Sequence, residues 1–221
     1  MRHESSEPSR EARHTVPIDL FVESAVAVTI LGTDGVLVFA NEAARRLYAC
    51  VGGLHWQVGQ VLRDLPDSSY MASRVEFMRE LAQREESGIS RDIIGGDQVY
   101  AYMHLLPQSA ASTTREFFIV HHRSLTHKPD EQATATAHFD PSQQDLGDLD
   151  TLTQRELEVL AMVSHGLTAP EIAAQLHRSV ETVHTHRASI LRKLDCYNSV
   201  QLAHIAARAG LKFDDGKRLK G

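Results

Sequence analysis

Thr182 to Leu194 reads TVHTHRASILRKL, and its ionisable side chains, His184, His186, Arg187, Arg192 and Lys193, are all basic. Between them lie Thr182, Thr185 and Ser189, which carry short hydroxyls, and Ala188, which adds almost no bulk. That mixture suits contact with a polyanion: small central side chains admit close approach to base edges, and donors at the rim hold phosphates. Catalysis has no comparable constellation. No phosphate-cradling glycine loop or catalytic triad is present, and the two cysteines, Cys50 and Cys196, form neither a disulfide framework nor a CxxC metal spacing.

The elements that must position these residues are legible from their ends. Thr153 with Glu156, Thr168 with Glu171 and Asn198 with Gln201 have the spacing of capping boxes, and Ser179 is a further N-cap. Gly166 and Gly210 suit left-handed helix ends, and Pro170 falls in a first turn. These signals predict four helices over about 154–165, 169–176, 180–194 and 199–209. Only His177, Arg178 and Ser179 separate the second from the third, a helix-turn-helix joint. At 100° per residue Val183, Ile190 and Leu194 share the buried face of the third helix. Glu181, Thr185, Ala188 and Arg192 lie opposite, flanked by His184 on one side and by Thr182, Ser189 and Lys193 on the other. Arg187 projects near the buried face, so its stem is expected along the core edge with the guanidinium reaching outward.

The chain has 221 residues and a formal charge of −6. Residues 1–150 hold 13 Lys and Arg against 22 Asp and Glu, whereas 151–221 hold 10 against 7, so the acidity sits in the first part. Between them, residues 124–150 are rich in Ala, Thr, Asp, Gln and Pro without a sustained apolar period, which predicts a linker between units at 18–123 and 151–213. No apolar run approaches the ~18 residues of a membrane span, and the N-terminus has no apolar signal segment. A soluble, cytoplasmic protein without a membrane partner is the expectation.

From Leu152 to Cys196 the chain resembles the LuxR-type helix-turn-helix of bacterial transcription regulators, through LTxRExEVL, G-x-T, EIA, S-x-x-TV-x-x-H and I-x-x-KL at matching intervals. The resemblance implies double-stranded DNA as partner, with Val183, His184, Thr185 and Ala188 meeting bases and Thr182, His186, Arg187 and Lys193 meeting the backbone. It also implies a homodimer, packed through a last helix whose stripe is Leu202, Ile205, Ala206 and Ala209. The sequence departs from the family pattern at His184, usually Lys; at Arg178, usually apolar; and at Ala169–Pro170, usually polar then Lys. At His184 an imidazole whose charge depends on pH replaces a fixed cation.

The first part follows a different pattern. AVAVTIL and VLVFAN are apolar strands around a turn containing Asp34–Gly35, and NEAARRLY starts a helix capped by Asn41. SRVEFMRELAQRE is amphipathic, with Val75, Met78, Leu81 and Ala82 on one side. ISRDIIG, QVYAYMHLLP and REFFIVHHR complete the unit as three strands. This order resembles a PAS sensor domain, carried by Gly32-x-Asp34-Gly35 and Asn41-x-Ala43-Ala44. In VYAYMHLL, Val99, Ala101, Met103 and Leu105 share one face, fit to line a pocket; Tyr100, Tyr102 and His104 share the other, fit to meet a partner chain or the segment PIDLFVESA.

A small ligand in this unit is compatible with that reading, but no cofactor is identified. His55, His104 and His121 are formal axial ligands for a haem, yet a lone His in a strand is more often hydrogen-bonded structure. Cys50, in YACVGG, lacks the polar motif of flavin photochemistry, and HHRSLTH lacks the helical spacing of a metal pair. A phospho-receiver would need alternating βα units, and an acyl-homoserine-lactone domain would need more Trp than Trp56 alone. The expected architecture is therefore α+β: a PAS-like antiparallel sheet with helices, a linker and a four-helix helix-turn-helix unit. The expected function is transcription regulation, not enzymatic, with RNA polymerase as a compatible further partner. The competing readings are a protein-interaction adaptor whose helix-turn-helix no longer binds DNA, and a sigma-factor-like promoter reader.

Overall fold

The computed structural model describes residues 18–49, 56–62, 69–108, 113–123, 137–141 and 144–220. Cys50 and His55 lie outside the described residues.

Two strands, helices and three further strands stand in the expected order. The strands β1 (Ala27–Gly32), β2 (Leu37–Ala40), β3 (Gly88–Ile94), β4 (Asp97–Leu105) and β5 (Glu116–Arg123) are joined by a short β6 (Ala137–Phe139) in one sheet, ordered β2-β1-β5-β4-β3-β6. All neighbours are antiparallel except β3 and β6. Helices α1 (Asp19–Val22), α2 (Glu42–Tyr48) and α3 (Ser69–Arg84) accompany them.

The residues that carried the PAS resemblance have specific structural work. Gly35 has φ +88°, and the Asp34 carboxylate accepts the Val36 N–H at 3.0 Å, so this pair makes the β1–β2 turn. Asn41 Oδ1 accepts from Val28 N at 3.1 Å and from Ala44 N at 2.9 Å, tying the strand to the first turn of α2. Its amide donates to the carbonyls of Phe21 and Val26, which fixes the entry of the chain.

One face of the sheet packs on α2 and α3 through Leu31, Leu37, Leu47, Val75, Met78, Leu81, Val99, Met103 and Phe117, each side chain worth about 1.5–3 kcal/mol of burial. Val99, Ala101 and Met103 all point into this core, as the alternation of β4 required. On the opposite face Phe21 meets Phe118 edge to face at 5.1 Å, so the N-terminal segment does cover part of it, while His104 is exposed.

A polar chain crosses the core. Thr29 Oγ1 lies 3.0 Å from His121 Nε2, and His121 Nδ1 lies 3.1 Å from the Tyr48 hydroxyl. Arg74 donates to that hydroxyl at 2.9 Å and pairs with Asp92, whose carboxylate also accepts from Ser90 Oγ at 2.8 Å. Both His121 nitrogens are thus engaged. Burial, and after it the charge of Arg74, push the His121 pKa well below the usual histidine range.

The C-terminal helices are α4 (Gln154–Ser164), α5 (Ala169–Leu176), α6 (Val180–Lys193) and α7 (Ser199–Ala209), close to the predicted bounds. Thr153 and Glu156 form the full capping box, Ser179 accepts from Thr182 N at 3.1 Å, and Gly210 ends α7 at φ +56°. Gln201 differs: its side chain accepts from Tyr197 N at 2.8 Å and not from the cap, Asn198. Leu202, Ala206 and Ala209 of the α7 stripe are fully buried in the chain's own core, leaving Val200, His204 and Ala207 exposed.

Two features were not anticipated. A fifth helix, α8 (Asp215–Lys220), packs on α4. Where it is described, the stretch expected as a linker carries β6 and a 3-10 turn (Gly147–Thr151), and Leu146 and Leu149 enter the helical core. This stretch runs along the edge of β3, with Ile93 N donating to Gln144 Oε1 at 2.5 Å and Asp145 N to Ile93 O at 3.1 Å. Backbone pairing of this kind needs no apolar period, which is why none marks it.

The two parts meet at Arg91. Its guanidinium lies 2.9 Å from Asp140 and 3.1 Å from Asp215, and donates to the Gly210 carbonyl at 3.0 Å. Burial works against its charge, but Asp215 and Asp140 more than offset this and hold its pKa above the usual value. Arg218 and Lys212 complete the cluster on Asp215 and Asp140, and Arg208 pairs with Asp97.

The His121 environment has a measurable consequence. The folded chain holds this proton less tightly than the unfolded chain does, so stability is full above about pH 6.5 and is lost as pH falls below it. Urea unfolding of the wild type between about pH 7.5 and 5.5 should show this slope, and His121→Gln should flatten it while costing about 1–2 kcal/mol at neutral pH. An unchanged slope in the variant would place the titrating group elsewhere.

Candidate nucleic-acid interface

Helix α6 starts at the Ser179 cap, two residues after His177, which ends α5 in the left-handed conformation at φ +51°. That residue turns the chain so that α6 crosses α5. Val183 and Ile190 are fully buried and anchor the helix. The outward stripe is Glu181, His184, Thr185, Ala188 and Arg192, all exposed, as the helical wheel placed them. Thr185 donates its hydroxyl to the Glu181 carbonyl at 3.0 Å.

The eight residues expected at DNA separate into two groups. His184, Thr185 and Ala188 lie together on the open stripe, and Thr182 and His186 are half-buried beside it. Val183 has its side chain in the core, so it supports the helix from behind. Arg187 stays half-buried, as expected for a stem along the core edge, and reaches Ser199 Oγ at 3.2 Å. It ties α6 to the first turn of α7.

Lys193 is drawn inward by Glu156, a carboxylate only 5% exposed at the start of α4. Its Nζ lies 2.6 Å from Glu156 Oε2 and 3.1 Å from the Thr151 carbonyl. Ser189 donates to Glu156 Oε1 at 2.7 Å, and the Thr153 N–H donates to Oε2 at 2.8 Å. Burial alone would raise the Glu156 pKa, but the hydrogen bonds from Lys193, Ser189 and Thr153 outweigh it and hold the carboxyl at about 2. This clamp sets the angle of α6 on α4. A helical wheel gives the direction of Lys193 but not its partner, so the clamp was not visible in the sequence.

Two exposed cations extend the surface. Arg192 continues the stripe at its C-terminal end, where the wheel had placed it, and forms no ion pair among the described residues. Arg178 stands at the turn before α6, bonded to the neighbouring His177 carbonyl at 3.3 Å. Neither is among the eight residues that the resemblance implies at DNA, although Arg192 lies on the face that the wheel turns outward; exposure beside the stripe is the signal for both. Clamp and joint together hold α6 with small side chains at the centre of its open face and basic residues at the edges.

Residues 150–206 match the family described as bacterial regulatory proteins, luxR family, so the C-terminal helices are a helix-turn-helix of that type. The transcriptional regulatory protein UhpA of Salmonella typhimurium is 48% identical over 58 residues, 26% of this chain and 30% of UhpA. The uncharacterized response regulatory protein YgeK of Escherichia coli is 43% identical over 60 residues, 27% of this chain and 41% of YgeK. The chain thus matches less than half the length of these relatives. Among solved structures, the VqmA–ligand–DNA complex of Vibrio cholerae aligns over 87% of each chain at 19% identity, with a TM-score of 0.47.

Replacing Lys193 by Met removes the cation from a buried carboxylate and should cost about 1–3 kcal/mol at neutral pH. Because the Glu156 carboxyl is depressed, its contribution is present above about pH 4.5 and fades as pH falls toward 2, so the difference between variant and wild type should shrink over that interval. Equal unfolding midpoints at pH 7 would show that the clamp contributes nothing.

Proposed function

We propose that this protein is a transcription regulator that binds double-stranded DNA through α6 and couples that binding to the PAS-like first domain. The observation that carries the proposal is the open stripe of His184, Thr185 and Ala188, seated by the Glu156–Lys193 clamp within a luxR-type helix-turn-helix. His184, Thr185 and Ala188 take the base edges; Thr182, His186, Arg178 and Arg192 take phosphates, and Val183, Arg187 and Lys193 hold the helix in place. The acidic first domain serves as a sensory or dimerisation module, and a small ligand is a further partner in this reading. The protein acts in the cytoplasm, without catalysis, by altering the access of RNA polymerase to promoters.

Homodimerisation is part of the proposal. Val200 is 78% exposed and Tyr197 81%, and with His204 and Ala207 they form the free side of α7. A two-fold dimer requires an inverted repeat with half-sites about one turn, ~10 bp, apart. Among the described residues no helix is long and apolar enough to cross a membrane.

Three measurements test this reading. In gel shifts on genomic fragments, Ala188→Glu should weaken binding at least ~10-fold by placing a carboxylate against the DNA, with an unchanged unfolding midpoint. His184→Lys should bind more tightly at neutral pH, because it puts a fixed cation on the open stripe. Wild-type affinity in Ala188→Glu would place the DNA on another surface, and no shift of any fragment by the wild type would favour an interaction adaptor. Footprinting at saturating protein should protect both half-sites; protection of one half-site alone would remove the dimer.

A further inference from the structure

We propose that β3 mechanically couples the interior of the first domain to the seat of the DNA-binding domain, so that a disturbance at Asp92 loosens the Arg91 latch. The inference rests on reading the first domain as a sensory module, and it assigns the strand by which that domain speaks to the other.

Alternation along β3 is the basis. Its partners in β4 place Gly88, Ser90 and Asp92 opposite Met103, Ala101 and Val99, all in the core of the first domain. Ile89, Arg91 and Ile93 therefore point the other way. On the inner face Ser90 and Asp92 hold Arg74, and through it the chain of Tyr48, His121 and Thr29. On the outer face Arg91 holds Asp215 and the Gly210 carbonyl, and Ile93 is a fully buried member of the helical core. Successive residues thus belong to the interiors of two different domains.

Neither face of the strand can shift alone. β3 is hydrogen-bonded to β4 on one edge and to β6, Gln144 and Asp145 on the other, so it moves as a stiff unit. Asp92 is fully buried, and a buried carboxylate that loses its cation is costly enough to force rearrangement. Any event that draws Arg74 or Tyr48 away must therefore displace Asp92 or neutralise it, and Arg91 and Ile93 flank it on the same backbone. Beside the apolar contact of Ile93, the interface carries the ion pairs of Arg91 and Arg208 and the bond to the Gly210 carbonyl, polar contacts of the kind found between domains. Gly210 adds a close fit: the Gln98 side chain lies where a Cβ would stand.

Amide hydrogen exchange of the full chain, without DNA, tests the coupling. Protection across residues 211–218 is compared with that of Val28–Ile30 and Ile119–His121, which report the fold of the first domain. Arg91→Lys should speed exchange in 211–218 by about tenfold while the reference amides hold. Asp92→Asn, and the milder Ser90→Ala, touch nothing in 211–218, yet each should speed exchange there by at least about threefold more than in the reference amides. Combined with Arg91→Lys, Asp92→Asn should add less than its separate effect, because the latch is already open. Exchange in 211–218 that stays at the wild-type rate in Ser90→Ala, or rises only in step with the reference amides, overturns the coupling. The gel shifts decide DNA binding independently, since coupling without DNA binding would overturn only the proposed function.

Discussion

A charge removed from water has to be met by its opposite at the place where it is buried, and this requirement fixes how the chain is assembled. Among the described residues, three such pairings join elements distant in sequence. Asp92 is met by Arg74 inside the first domain, Arg91 by Asp215 and Asp140 between the domains, and Glu156 by Lys193 beneath α6. Apolar packing alone would tolerate small slides between the elements concerned. A paired, hydrogen-bonded charge does not, because a shift of an ångström leaves a partner unsatisfied. The charges are therefore at the joints, and the apolar clusters lie between them.

Helix α6 shows how this divides labour along a single element. One side of α6 is spent on attachment: Val183 and Ile190 in the core, Ser189 and Lys193 on Glu156, Arg187 on Ser199. The other side is left open, with His184, Thr185 and Ala188 unobstructed. Lys193 on the attached side is a cation by composition, but its charge is already met by Glu156. The effective charge of the ridge is smaller than a count of basic residues suggests, and the exposed Arg178 and Arg192 carry more of it.

Local signals in the sequence translated well into structure. Caps at Thr153, Thr168, Ser179 and Asn198 set the helix starts because each bond closes within three or four residues, and the wheel separated Val183 and Ile190 from Thr185 and Ala188 because helical geometry is regular. The faces of β4 followed from alternation in the same way, with Val99, Ala101 and Met103 turned into the core. What escaped was set by distant partners. β6 is held by backbone bonds to β3, α8 by Asp215 reaching Arg91 across 124 residues of chain, and the fate of Lys193 by a carboxylate 37 residues away. None of these leaves a periodic mark. Gln201 is a smaller case, since the capping spacing was right but a neighbouring donor, Tyr197 N, captured its side chain.

Ile93 of β3, with Leu146 and Leu149 from the stretch beyond β6, sits in the same apolar cluster as Leu157, Leu160, Val183 and Leu202. The stretch that looks like other regulators is therefore smaller than the body that folds around it. A helix-turn-helix of this kind is usually imagined as a portable module, exchanged between proteins by cutting at a linker. Here such a transplant would carry away a core with one wall missing, and a recipient would have to supply an isoleucine at the right edge of its own sheet. Recombination that kept both parts would have had to preserve their mutual orientation as well as their sequences, so the junction itself is inherited as structure.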